Sequence, residues 1–301
     1  MNQQRSLVIR AELWLLAITV FWSATFPVIK NALGDISPTM FLAIRFSIAT
    51  LVLLPFTYKT LRNLNSQSFR DSGWLTFTYF LGFILQIIGL QYTSATKSAF
   101  ITGTFVVLTP FFQAVIEKRM PDRGSLIGVF MVFIGILLLA GQHNGITGFL
   151  SELGGSFNIG DFLTFLCAVF YSIYIVQMDM ISHKYDVKFL TLMQLMLTAA
   201  LAIGSAIVLP VVGLGTTVFN PTTAVIAALL YTALFASILT TFIQTRFQKY
   251  TTPTKAGIIF SFEPIFATIL AVAFFSETIT PIGVAGGVLI FAGILTSELV
   301  K

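Results

Sequence analysis

Apolar residues run along this chain in long continuous stretches broken by short polar segments, and they do not alternate with polar residues. The stretches read as Leu13–Leu33, Pro38–Thr57, Trp74–Gln91, Ser98–Ile116, Ser125–Gly141, Asp161–Ile181, Phe189–Val211, Thr223–Thr245, Ala256–Phe275 and Pro281–Thr296. A helix needs about 20 apolar residues to cross a hydrocarbon core, and these runs meet or approach that length. Barrel strands show alternating polarity over about ten residues. Continuous apolarity instead predicts helices, which satisfy their own backbone polar groups where no water is present. Each break carries its own punctuation, such as Gly34-Asp35 before Pro38, or Met120-Pro121-Asp122-Arg123-Gly124.

The second five stretches repeat the first five. Shifted by 158, Tyr92-Thr93-Ser94-Ala95-Thr96-Lys97-Ser98-Ala99 lies over Tyr250-Thr251-Thr252-Pro253-Thr254-Lys255-Ala256-Gly257. The same shift pairs Gln86 with Gln244, Gly128 with Gly286, Phe133 with Phe291, and Gly135-Ile136-Leu137 with Gly293-Ile294-Leu295. Nearer each start a shift of 149 pairs Glu12 with Asp161, and Val20-Phe21-Trp22-Ser23 with Val169-Phe170-Tyr171-Ser172. Nine extra residues between the second and third helices of the second copy account for the difference. An odd number of spans, duplicated, turns its copy over in the bilayer. The expected fold is an all-α membrane protein of ten transmembrane helices, built as two inverted five-helix repeats over residues 13–141 and 161–298. Inverted repeats of this kind characterise secondary carriers that hold substrate near the midplane.

Composition and charge sharpen this picture. The chain is 56% hydrophobic and 10% charged, where a soluble domain carries about 25% charge. With both termini in the cytoplasm and alternate loops inside, all of the 17 basic residues except Lys30, Lys97 and Arg45 fall on the inner face. That bias sets orientation in short loops, and the expected location is a bacterial inner membrane. The net charge of +5 therefore meets anionic lipid and calls for no nucleic acid. One cysteine, Cys167, excludes an internal disulfide and a cysteine-based metal cluster. His143 and His183 fall in loops on opposite sides, so no histidine metal site is expected. No phosphate-loop motif is present, which argues against an ATP-driven pump, and no cofactor is implied. The basic start before the first apolar run lacks a small-residue cleavage site, so it reads as a retained helix.

Charge within a span is the sharpest functional signal. At a helix centre Arg or Asp costs about 2.5–3.5 kcal/mol and is kept where it lines a cavity or has a partner. Arg45 lies roughly 10 Å in from the outer end of its helix, and Glu263 lies at a similar depth from the inner end. Arg45 either grips an anionic substrate group or ties helices together; Glu263 either takes a coupling proton or does the same structural work. Pro264 frees the carbonyl of Phe260 and weakens the helix beside Glu263. The repeat-related pairs Gln86 with Gln244 and Trp22 with Tyr171 read as cavity walls facing each other across the pseudo-twofold axis. Their plainer alternatives are interhelical hydrogen bonds and aromatic packing. Lys97 and Lys255 each open a helix behind a threonine cap, where a cation opposes the dipole. They are substrate-binding candidates, with snorkelling to headgroups as the simpler reading. Glu12 and Asp161 read as acids at helix N-termini. Gly128, Gly135, Gly283, Gly286, Gly287 and Gly293 supply close-packing surfaces, either inside one subunit or in a homodimer. The 31 phenylalanines read mainly as lipid-facing bulk and core.

Taken together, several motifs resemble the EamA-type permeases of the drug/metabolite transporter superfamily. They are Phe21-Trp22-Ser23 with Pro27, Pro38 with Arg45-Phe46, Tyr92-Thr93 with Ala99 and Pro110, Phe262-Glu263-Pro264, Ser276-Glu277-Thr278, and Gly286-Gly287 with Gly293. The resemblance spans about Leu13 to Thr296. It implies a central cavity lined by the first four helices of each repeat, with the fifth further out. The acid that ends the proline-containing helix is Glu277 in the second half, whereas the same offset gives Arg119 in the first. The resulting expectation is a non-enzymatic carrier that moves small metabolites, amino acids among them, outward by alternating access. The alternative is an exchanger or facilitator of anionic metabolites such as phosphorylated or carboxylate compounds. An intramembrane transferase would need a cluster of catalytic polar residues on one membrane face, and the sequence offers none.

Overall fold

A computed structural model describes residues 2–140, 147, 150–151, 158–275 and 280–300. Expectations resting on Glu277 and His143 lie outside the described residues. The described residues are helical apart from turns and one isolated antiparallel bridge, Ile36 to Phe219.

The helices, in chain order, begin with α1 (Asn2–Ser23), α2 (Thr25–Ala32), α3 (Pro38–Thr57), α4 (Ser66–Tyr92), α5 (Ala95–Gly103), α6 (Phe105–Ile116) and α7 (Arg123–Ala140). They continue with α8 (Ile159–Ser182), α9 (Val187–Val211), α10 (Thr223–Ala233), a π-helical turn over Leu234–Leu239, and α11 (Thr240–Phe247). The last three are α12 (Pro253–Phe260), α13 (Glu263–Phe275) and α14 (Pro281–Leu299). Among the described residues, seven helical stretches are long and apolar enough to cross a membrane. Arg123–Leu138 and Pro281–Ser297 are shorter apolar helices.

Several ends differ from the hydrophobic reading, each for a local reason. Helix α1 starts at Asn2, so Glu12 lies in its interior and not at its N-terminus. Helix α4 starts at Ser66 because Asn65 and Ser68 form a reciprocal capping box ahead of the apolar run. The cap before Lys97 is Ser94 rather than a threonine, while Thr252 does cap the helix that carries Lys255.

Four of the long stretches are interrupted. Helix α1 gives way to α2 at Ala24, and α5 to α6 at Thr104. Helix α12 stops at Phe260 and α13 restarts at Glu263, beside the weak point that Pro264 predicts. The fourth interruption is the π turn between α10 and α11. Broken helices at membrane depth are tolerated where they line a cavity or are buried in protein.

Helix packing follows small residues. Between α7 and α14, a Cβ at Gly128 would lie 2.6 Å from the Gly293 carbonyl oxygen, and one at Gly135 would lie 2.7 Å from that of Gly286. Those glycines thus pack within one subunit, which answers for them the choice the sequence left open. Gly287 has nothing within 4 Å. Helix α4 crosses α8 at Gly89 and Gly160 in the same way. Large apolar side chains such as Phe56, Phe111, Phe130 and Val288 face outward, as a lipid-contacting surface requires.

Candidate functional site

A cavity lies among α1, α2, α3, α4, α5, α6, α8, α11, α12 and α13. The sequence candidates Trp22, Arg45, Gln86, Tyr171, Gln244 and Glu263 all line it. Lys97 and Lys255 do not.

The breaks place the key side chains. Arg45 projects from α3 and is 1% exposed. Its Nε donates to Ser237 Oγ at 2.9 Å and its Nη2 to the Ala236 carbonyl at 3.0 Å. Both acceptors belong to the π turn, whose wider winding disturbs the regular carbonyl ladder and offers a carbonyl to an outside donor. The guanidinium carbon lies 5.1 Å from the Phe46 ring centroid and 4.8 Å from that of Phe83. Arg45 is therefore both a tether and a cavity residue. Among the described residues its side-chain acceptors are neutral, and no carboxylate forms a salt bridge with it.

Glu263 is half-buried and opens α13. A carboxylate in the first turn of a helix faces the positive end of the dipole, and here that end points at the cavity.

The paired wall residues are engaged with neighbours as well as exposed to the cavity. Tyr171 donates to Gln86 Oε1 at 3.3 Å, and Gln86 donates to Thr102 at 3.4 Å. Gln244 donates to Gln248 at 2.8 Å and accepts from Tyr174 at 3.5 Å. Trp22 meets Phe260 edge-on, with centroids 5.2 Å apart. A Cβ at Gly82 would come within 2.3 Å of the Tyr171 ring, so the absence of that atom lets Tyr171 lie where it does.

Lys97 takes neither role foreseen for it. Its Nζ lies 2.7 Å from Asp161 Oδ2, and the two side chains are 4% and 0% exposed. Thr93 also donates to Asp161, at 2.6 Å. A lysine held by a buried carboxylate cannot snorkel to headgroups. Asp161 does sit in the first turn of α8, as expected, but the ion pair adds a second function. Lys30, which the sequence places near the outer end of the first span, caps the C-terminal end of α4 by donating to carbonyls there, Thr93 O at 2.9 Å among them.

Thr25, Tyr79, Phe83, Thr102, Phe105, Tyr174, Ile175 and Phe260 also line the cavity and were not singled out. Signals for several were present. Tyr79, Phe83 and Gln86 follow one face of α4 at spacings of four and three residues. The registers that pair Trp22 with Tyr171 and Gln86 with Gln244 also pair Thr25 with Tyr174, Thr102 with Phe260, and Phe105 with Glu263. Each of those residues lies on the cavity wall. Phe83, Phe105 and Phe260 show that not every phenylalanine is bulk.

Comparison with known proteins agrees with this architecture. The model of the EamA-like transporter family matches twice, over residues 9–141 and 158–298. An uncharacterized transporter of Archaeoglobus fulgidus is 35% identical over 96% of this chain and 86% of its own length. The uncharacterized transporter YyaM of Bacillus subtilis is 28% identical over 94% of this chain and 92% of its own. A crystal structure superposes with a TM-score of 0.77 at 16% identity, covering 96% of both chains, a likeness of fold. The chain thus belongs to the EamA-like transporter family and is a multi-pass membrane transporter of small molecules.

Proposed function

We propose that this chain is a secondary carrier of ten spans, arranged as two inverted five-helix repeats, that exports small metabolites, amino acids among them, by alternating access. The observation that carries the reading is the composition of the cavity wall. Trp22 with Tyr171, Thr25 with Tyr174, Gln86 with Gln244, Thr102 with Phe260 and Phe105 with Glu263 are all repeat-related pairs that meet around one space. A site shared by two inverted halves is equally reachable by rocking one half against the other.

Helix pairing supports the same axis. Helix α4 packs on α8 and α1 packs on α11, and exchanging the two halves turns one pair into the other. The pairs α3 with α9 and α7 with α14 each map onto themselves, and α6 with α12 maps onto α5 with α13, which also touch. The family model matching twice also fits a duplicated chain. The basic-residue bias supports cytoplasmic termini in a bacterial inner membrane.

The charges break the symmetry. Arg45 has Gln194 at its repeat position, and Glu263 has Phe105. Glu263 is the proton-coupling residue in this reading, while Trp22, Gln86, Tyr171 and Gln244 contact substrate. A second reading, exchange of anionic metabolites, is favoured by one observation: the buried Arg45 guanidinium has only neutral hydrogen-bond partners among the described residues. Uptake by proteoliposomes from a labelled metabolite panel, with and without an imposed pH gradient, tests both. Gradient-driven movement of zwitterions supports the first reading, and gradient-independent counterflow of anions supports the second. A protein that moves nothing on the panel, or passes solutes without saturation, would refute the carrier.

A further inference from the structure

We propose that Lys97 with Asp161, and Glu12 with Lys255, are equivalent ion-pair latches at opposite mouths of the cavity, and that their alternate opening admits one side at a time. The proposal rests on the carrier reading and adds the residues that gate it.

The first latch is formed in the structure. Asp161 Oδ2 receives Lys97 Nζ at 2.7 Å and the Asn158 backbone N–H at 2.9 Å, while Oδ1 receives Thr93 at 2.6 Å. The carboxylate pins the first turn of α8 to the corner between α4 and α5. Backbones come together just there, since a Cβ at Gly160 would lie 2.6 Å from the Gly89 carbonyl. The latch lies outside the cavity. Tyr171 is ten residues further along α8, about 15 Å at 1.5 Å per residue. A buried pair of this kind holds only while both charges and their hydrogen bonds stay in place; removing one partner leaves an uncompensated charge. Closed, the contact is dry, and opening it requires both charges to be hydrated. That is what a gate needs.

The second latch follows from the repeat. Thr251 stands at the position of Thr93, Lys255 at that of Lys97, and Glu12 at that of Asp161. The fold puts the helices that carry Glu12 and Lys255 against each other, as it does those that carry Asp161 and Lys97: α1 packs on α12 as α8 packs on α5. Trp14, one half-turn from Glu12, stacks on Phe247 at 5.9 Å. Thr252 caps the N–H of Lys255 as Ser94 caps that of Lys97. Packing alone does not call for a lysine and an acid here, because charges in a membrane protein are costly and apolar residues would fill the space. Their recurrence at both corners, in inverted copies, gives one latch to each face.

The test uses side-specific labelling. A single cysteine replaces Thr25 on the cavity wall in a Cys167→Ser background, and an impermeant maleimide is applied to right-side-out and inside-out vesicles. Asp161→Asn and Lys97→Met each raise labelling from outside by about tenfold or more, since breaking a buried pair removes the closure. Glu12→Gln and Lys255→Met raise labelling from inside. The charge-swapped double variant, Lys97→Asp with Asp161→Lys, returns outside labelling towards the parent rate. Where charge variants fail to accumulate, Thr93→Val gives a smaller rise from outside. A merely structural role would not produce opposite, side-specific changes. A cysteine that labels in the parent but ignores all these substitutions, or responds to both latches from one face, overturns the latches alone. A cysteine unreachable from either face in the parent and every variant overturns the carrier reading with them.

Discussion

The tether between Arg45 and the π turn is the contact whose worth can be worked most directly from the structure. Arg45→Lys keeps the charge but loses the planar fork that reaches Ser237 Oγ at 2.9 Å and the Ala236 carbonyl at 3.0 Å together. Interhelical hydrogen bonds in membranes average about 0.6 kcal/mol and reach about 1.7, so the two together are worth about 1–3 kcal/mol. Contact with the Phe46 and Phe83 rings adds about 0.5–2 kcal/mol for a desolvated cation. Ser237→Ala removes one bond and costs about 0.6–1.7 kcal/mol. In a double-mutant cycle of Arg45→Ala and Ser237→Ala, that bond is counted once, leaving a coupling of similar size. Unfolding in mixed micelles, followed by tryptophan fluorescence, measures each corner of the cycle. Effects that add within about 0.3–0.5 kcal/mol, as distant sites do, would falsify the tether. If Arg45 also holds substrate, Ser237→Ala weakens apparent affinity with the charge still present, because the guanidinium is no longer aimed.

Three further outcomes are expected. Glu263→Gln abolishes gradient-driven transport in proteoliposomes while counterflow of substrate continues; unchanged gradient dependence would return Glu263 to a structural role. Single cysteines at the exposed residues Ser66 and Thr217 label only from the cytoplasmic and only from the outer side, respectively, and a reagent reaching both from one side ends the inverted ten-span arrangement. Gly135→Ala places a methyl 2.7 Å from the Gly286 carbonyl, where backbone must give way. It therefore costs about 1–3 kcal/mol by overpacking, whereas Gly287→Ala, which meets nothing within 4 Å, does not lower the melting temperature in detergent.

Hydrophobicity alone settles much about this protein, because crossing a bilayer forces long apolar helices with satisfied backbones. Pro38–Thr57 was legible to the residue, since Pro38 starts that helix and polar residues follow its end. Ends set by water-exposed caps were not: α4 begins eight residues before its apolar run because Asn65 caps it in solvent, where hydropathy carries no signal. Trp22, Gln86, Tyr171 and Gln244, which the internal registers of the sequence pair with one another, all line one cavity. Sequence could name Arg45 as costly but not its partners, which lie 191 and 192 residues away on a π turn. Nor could it tell that Lys97 would be sealed against Asp161. Those choices depend on which face of a nearly uniform apolar helix turns inward. Helices apolar all round carry little periodicity to say so. Only the packing of α4, α5 and α8 against one another decided that Lys97 meets a carboxylate and not a headgroup.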